Sequence, residues 1–236
     1  DSYVINGTKI FITNGVRADF VTLVAKTDPA KGTRGVSLFL VEKGTPGFTV
    51  GRKLKKLGNL SSDTAELIFE NCRVPAENLL GTEGEGFRHI MWELQGERLI
   101  GAAGALAVAR CALEEAVAYA KQRVQFGRPI ARFQVIAHYL AQCAAELEAA
   151  RQLVYATAWR FARGEYPVRE ISMAKLIAAQ VAHRVADYAV QIHGGYGYMK
   201  EYIVERYWRD TRLYRIGGGT DEIMREIIAK DMGLYE

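Results

Sequence analysis

Metal, disulfide and membrane chemistry find little to work with in this chain of 236 residues. Its three cysteines, Cys72, Cys111 and Cys143, are odd in number and lack metal-ligand spacing, so they read as buried or free thiols of a reducing cytosol. The four histidines form no ligand pattern, which disfavours a metal hydrolase. No apolar run approaches the roughly 20 residues that span a bilayer. The opening DSYVINGTKI has no signal-peptide pattern. A βαβ dinucleotide fingerprint is missing, which disfavours a nicotinamide enzyme. Charge of either sign is scarce in excess: the net +4 is too mild for a nucleic-acid partner, though it suits a small anionic ligand. What remains is an ordinary globular composition, 49% hydrophobic and 25% charged.

The apolar pattern changes period partway along. Residues 1–75 carry short β-branched and aromatic runs: SYVINGTKIFIT, FVTLVAKT, VSLFLVE, GFTVGRKLKKLG and TAELIFENCRVP. Asn6-Gly7 between two apolar runs predicts a hairpin. Strands that follow one another without intervening helices predict an antiparallel β-sandwich or barrel. Residues 76–85 read as a polar, Gly-rich linker and a flexible approach to the next element. From residue 86 the period is helical, in segments of about 86–122, 130–163, 168–192 and 201–213, with a last short helix from Thr220. Alanine abundance agrees with that period. The prediction is an α+β chain: a β-domain, then an antiparallel four-helix bundle over 86–236 with a short C-terminal helix.

Several stretches carry more than fold. GTEGEGF (81–87) lacks GxGxxG and the P-loop Lys-Ser/Thr, so a phosphate cradle is set aside. In MWELQGERLIGAAGALA, Glu93 and Glu97 share a helix face with Gly101 and Gly104. That pattern serves either a solvated acidic face with close helix packing or a carboxylate over an apolar cleft, able to act as general base. In QRVQFGRP, Arg123 is either a surface charge or a guanidinium for a phosphate. QIHGGYGYMKEY has more glycine than a helix C-cap requires, and RIGGGTDEI more than an N-cap requires. Close backbone approach to a ligand fits both.

In order along the whole chain, INGTKIFITNG, RVPAENLLG, GEGF, ERLIGAAGALAVA, YAKQRVQFGRPI, FQ, QIHGGYGYMKEY and RDTRLYRIGGGTDEIMREIIAK resemble the acyl-CoA dehydrogenase family. The resemblance implies a middle β-domain and a C-terminal helical bundle. Family members also carry an N-terminal helical domain ahead of the position of Asp1, so the expectation is a truncated form that lacks it and can be inactive by itself. FAD is the implied cofactor. Phe11, Ile12 and Thr13 are expected to pack on the flavin ring. Arg123, Gln134, Gln191, Ile192, His193, Gly194 and Gly195 are expected at its diphosphate and adenosine parts, and Thr220, Asp221 and Glu222 at the start of the last helix. Gln95, Gly96, Arg98, Gly218 and Gly219 are expected to border an acyl-CoA thioester, with Thr33 and Arg34 near the CoA end.

The implied reaction is α,β-dehydrogenation of an acyl-CoA to the trans-2-enoyl-CoA, with the β-hydride passing to flavin N5 and electrons going on to an electron-transfer flavoprotein. Many members place the base in a YEGT loop; here that slot is GGGT, with Gly218 where glutamate would stand. The long-chain and isovaleryl branches carry the base in ERL on the bundle helix, which makes Glu97 the expected base and Glu93 the fallback. Gly217 and Gly218 leave room for branched or bulky acyl groups or simply for the relocated carboxylate, and the wording of IGGGT and HGGYGYM leans to long-chain or branched types. Flavin sharing between subunits implies a homo-oligomer, a dimer of dimers, with no nucleic-acid or membrane partner, in the bacterial cytoplasm or the mitochondrial matrix. The rivals are an acyl-CoA oxidase or flavin monooxygenase-like relative on the same fold, and a non-catalytic scaffold.

Overall fold

The computed structural model describes residues 1–235. Two compact units follow one another, Asp1–Glu93 and the remainder from Leu94 onward.

The first unit is built from two open, three-stranded antiparallel sheets. One has the order β1 (Ser2–Thr13), β5 (Thr64–Pro75), β4 (Phe48–Lys53); the other has β2 (Phe20–Lys26), β3 (Val36–Glu42), β6 (Leu79–Leu80). Both sheets send side chains into one core: Ile5, Phe48, Leu67, Phe69 and Val74 from the first, Leu23, Phe39 and Val41 from the second. Phe48 stacks on Phe69 with centroids 4.8 Å apart. The unit is a sandwich rather than a closed barrel, because each sheet keeps its own two edges.

The expected hairpin at Asn6-Gly7 does not form. Both flanking apolar runs pair with the same partner, β5: Ile5 opposite Cys72, and Thr8 opposite Ile68. Asn6-Gly7 runs through the middle of one twelve-residue strand, opposite a bulge in β5 at Glu70-Asn71. Gly7 takes φ 145°, and Asn6 Oδ1 accepts the Asn71 N–H at 2.7 Å. A long-range partner strand has overridden a local turn signal. A second register shift lies between Lys9 and Ile12 and leaves Phe11 at φ 62°.

The stretch 76–85 is not a flexible approach either. Leu79 and Leu80 pair with Phe39 and Leu38, and Asn78 Nδ2 donates to the Leu40 carbonyl at 2.8 Å. Gly84 within it and Gly86 just after it are structural. A Cβ on Gly84 would lie 2.5 Å from the Arg34 carbonyl oxygen, and one on Gly86 would lie 2.8 Å from the Ser37 backbone.

The second unit is helical. α1 (Gly86–Gln122) runs into it from the β unit, followed by α2 (Gln134–Ala162), α3 (Val168–His193), α4 (Val204–Thr211) and α5 (Asp221–Asp231). Between α1 and α2 stands a small hairpin of β7 (Val124–Gln125) and β8 (Arg128–Pro129). Its turn residues Phe126 and Gly127 both have positive φ, 51° and 77°, the twist that two-residue hairpins require. Ala102, Ala105, Ala109, Ala112, Ala116 and Ala120 are buried at three- and four-residue spacing along α1, so its partners approach closely. They share a core with Cys143, Ala150 and Val154 of α2, Ala178, Val181 and Val185 of α3, and Val204 of α4. The expected fourth helix over 201–213 shrinks to eight residues, because Arg212–Arg215 tightens into a 3-10 turn.

Candidate active site

Three helices meet at the glycine loop 217–219. From α1, Gln95 and Arg98 are buried while Glu93 and Glu97 are exposed. The i, i+3 spacing of Gln95 and Arg98 puts them on the inner face, so Glu97 falls on the outer one. The Arg98 Nε–H donates to the Gly218 carbonyl at 3.0 Å. From α3, the buried Lys175 donates its ammonium hydrogen to the next carbonyl, that of Gly219. From α5, the buried Asp221 accepts from Arg215 Nε at 2.8 Å and from Gln180 Nε2 at 3.1 Å.

The loop conformation accounts for two of its three glycines. Gly218 has φ 66° and Gly219 has φ 106°, where a Cβ is strained. Gly219 is crowded as well, with Met224 Cε 2.8 Å from a would-be Cβ. Gly217 has neither constraint; its Cβ would make only ordinary contact, 3.6 Å from the Leu213 carbonyl oxygen. Thr220 then caps α5, its Oγ1 accepting the Ile223 N–H at 3.3 Å. The Glu222 backbone N–H, together with that Thr220 hydroxyl, holds the carboxyl of the same residue below its usual range.

The face of α1 that carries Glu97 is partly open. A Cβ on Gly96 or on Gly101 would meet nothing within 4 Å, and Ile100 beside them is 74% exposed. Gly104, expected to play the same part, is instead filled by a neighbour: the Tyr214 hydroxyl is 3.2 Å from its would-be Cβ.

A second site lies at the far end of α1. Arg123, Ile192, His193, Gly194 and Gly195 line one cavity of about 440 Å³ together with Tyr119 and Tyr196. His193 Nδ1–H donates to the Ala189 carbonyl at 2.7 Å, which leaves Nε2 as the other ring nitrogen, and its ring stacks on Tyr119 at 4.1 Å. Burial, only partly opposed by that hydrogen bond, pulls the imidazole below its ordinary value. The Arg123 guanidinium lies 5.5 Å from the centre of the Tyr196 ring. A Cβ on Gly195 would meet nothing within 4 Å, so the cavity floor there is bare backbone. A cationic guanidinium, aromatic rings and bare backbone suit a large group with an anionic and a planar part.

Within the helical unit, the structure does not place Gln134 or Gln191 in these two clusters. Gln191 is exposed on the last turn of α3, and Gln134 is exposed as the first residue of α2, outside the cavity lining. The Asp221 carboxylate, expected at a cofactor, is turned inward and only 2% exposed. Phe11, Ile12 and Thr13 sit at the bulge of β1, where Phe11 is 71% exposed and Ile12 packs on the sandwich core. Thr33 and Arg34 are exposed in the turn between β2 and β3. Sequence reasoning missed Lys175, Gln180, Arg215 and Tyr214. One signal was available: Lys175 is the single charge within SMAKLIAAQVA, a position that the helical period buries.

Comparison with known proteins agrees over nearly the whole chain. The family model for the acyl-CoA dehydrogenase middle domain matches residues 1–72, and that for the C-terminal domain matches 84–233. An acyl-CoA dehydrogenase of Bacillus subtilis strain 168 is 55% identical over 228 residues, 97% of this chain and 60% of that protein. A short-chain-specific acyl-CoA dehydrogenase of Megasphaera elsdenii is 49% identical over 222 residues, 94% of this chain and 58% of that protein. The crystal structure of an acyl-CoA dehydrogenase from Geobacillus kaustophilus superposes with a TM-score of 0.97 at 46% identity, covering 98% of this chain and 62% of that one. The chain thus spans about three-fifths of the length of the relatives it matches.

Proposed function

The chain belongs to the acyl-CoA dehydrogenase family, and we propose that it carries the catalytic base and thioester-binding loop of an enzyme that oxidises an acyl-CoA to its trans-2-enoyl-CoA with FAD. The observation that carries this is the Arg98–Gly218 hydrogen bond. It ties the helix bearing an exposed carboxylate, Glu97, to a loop with no side chain of its own that could take a proton.

The α-hydrogen of a thioester is a poor acid, so the chain has to supply a base and a stabiliser of the developing enolate oxygen. Glu97 removes the α-proton onto its carboxylate. The N–H groups of the 218–219 segment receive the thioester oxygen, while Arg98 holds that segment still. Bare backbone at Gly96, Gly101 and Gly217 leaves space for the acyl group, long or branched. A bound flavin supplies the acceptor for the β-hydride. Arg123, Ile192, His193, Gly194 and Gly195 hold its diphosphate and adenosine parts, joined by Gln134 and Gln191 from the exposed ends of α2 and α3. Thr220, Asp221 and Glu222 contribute through the backbone of the α5 start. On the β unit, the bulge that exposes Phe11 supports the same assignment for Phe11, Ile12 and Thr13. Thr33 and Arg34 serve the CoA end. Electrons leave to an electron-transfer flavoprotein, in an assembly that is a dimer of dimers located in the cytoplasm or the mitochondrial matrix.

The test uses the full-length, flavin-loaded enzyme, a panel of acyl-CoA thioesters of varied length and branching, and an artificial electron acceptor. Glu97→Gln is expected to lower kcat by about 10²–10⁴-fold while flavin and acyl-CoA still bind. Near-normal turnover would move the base to Glu93 or elsewhere.

A further inference from the structure

We propose that Lys175 is a positioning residue for this reaction: with Arg98 it clamps the consecutive carbonyls of Gly218 and Gly219, so that the loop presents its N–H groups to the thioester oxygen. The inference rests on the reaction proposed above and assigns a part to a residue that lies outside the expected site.

The geometry is specific. Two cationic side chains from two different helices, α1 and α3, each donate to one of two adjacent peptide carbonyls. Both are buried, Arg98 at 6% exposure and Lys175 at 4%. Burial pulls the Lys175 ammonium below the ordinary lysine range, and the Arg98 charge adds to this, against the opposing carboxylates of Asp221 and Glu222. A buried cation costs stability, and a cap on α5 does not need one, since Thr220 already supplies it. In a trans peptide the N–H points away from its own C=O, and no cis bond occurs among the described residues. Drawing the carbonyls of Gly218 and Gly219 inward therefore turns the N–H groups of Gly219 and Thr220 outward. The Gly218 N–H belongs to the preceding peptide and is joined to the first clamped one through the Gly218 backbone, whose φ is 66°. The Gly218, Gly219 and Thr220 N–H groups have no acceptor among the described residues. A charged donor on the carbonyl side also polarises each peptide, making its N–H a stronger donor.

The experiment compares two ligands on the full-length, flavin-loaded enzyme: an acyl-CoA thioester, and its thioether analogue, which lacks the carbonyl. Wild type is expected to prefer the thioester. Lys175→Met, which keeps the stem but not the donor, is expected to lower kcat and that binding preference each by about ten-fold, the preference through weaker thioester binding, with thioether affinity and flavin content little changed. Lys175→Arg, which restores a cationic donor, is expected to recover most of both. A folded Lys175→Met enzyme that keeps the wild-type preference overturns the proposal, and so does one that loses flavin and both ligands equally. Should that variant not fold, a crystal structure of the wild-type enzyme with bound thioester decides. A carbonyl oxygen within hydrogen-bond reach of the 218–220 N–H groups, with both clamps intact, supports the proposal; an oxygen held elsewhere overturns it. Wild type that neither binds nor oxidises any thioester would instead sink the reaction itself.

Discussion

Two glycine-rich loops in the helical unit look alike in sequence and differ in what holds them. In 217–219, two glycines are required by backbone conformation, and buried cations from two helices grip the carbonyls. In 194–197, Gly194 needs its φ of 58°, and Gly197 is required by crowding, since its Cβ would lie 2.4 Å from the Val190 carbonyl oxygen. Gly195 there, and Gly217 in the other loop, have neither reason. Those two are the positions where the fold itself leaves backbone bare. A glycine that the chain itself does not need is better evidence for a ligand than a glycine run as such.

Substitutions at four of these glycines test the distinction directly. The largest loss of stability is expected for Gly197→Ala, about 3 kcal/mol in thermal or denaturant unfolding, because the clash is with rigid backbone. Gly219→Ala follows at about 2 kcal/mol; Met224 can yield, but the strain at positive φ cannot be relieved. Gly195→Ala and Gly217→Ala are expected to stay within about 0.5 kcal/mol of the parent. Their effects belong to ligands: weaker flavin retention for Gly195→Ala, measured by titration, and a shift toward smaller acyl groups for Gly217→Ala, measured on the thioester panel. Equal destabilisation at all four would erase the contrast.

The smallest effect is a pH dependence at the second loop. Burial holds His193 below its ordinary value, so the unfolded chain binds this proton more readily than the folded one. The stabilisation is complete above about pH 6.5 and is lost as pH falls from there through the folded value. His183, lowered by burial and by the charges of Arg212 and Arg215, acts in the same sense. The melting temperature is expected to drop across that window, and His193→Gln to remove part of the drop.

Much of the fold is legible in the residues themselves. The change from period 2 to period 3.6 near residue 86 separates sandwich from bundle, because side-chain period reports local backbone geometry. The pairing of Gly218 in the GGGT slot with Glu97 in ERL is an expectation that comes from the family resemblance carried by those motifs. The Asn6-Gly7 signal misleads because both flanking runs compete for the same remote strand, β5, and hydrogen bonds to that strand outweigh a local preference. Lys175 is hard to read as part of the site because its partner is 44 residues away in the chain, at Gly219.

The sequence by itself determined the element types, their order and the family, all of which depend on local period and ordered motifs. Tertiary structure alone decided which glycines the fold consumes and which it leaves bare. It also decided that Gly104 is filled by Tyr214 while Gly101 is open, and that two buried cations hold one loop. The reason is physical: period is a property of neighbours along the chain, whereas a positive φ, a 2.4 Å clash or a buried charge is set by atoms that meet only after folding.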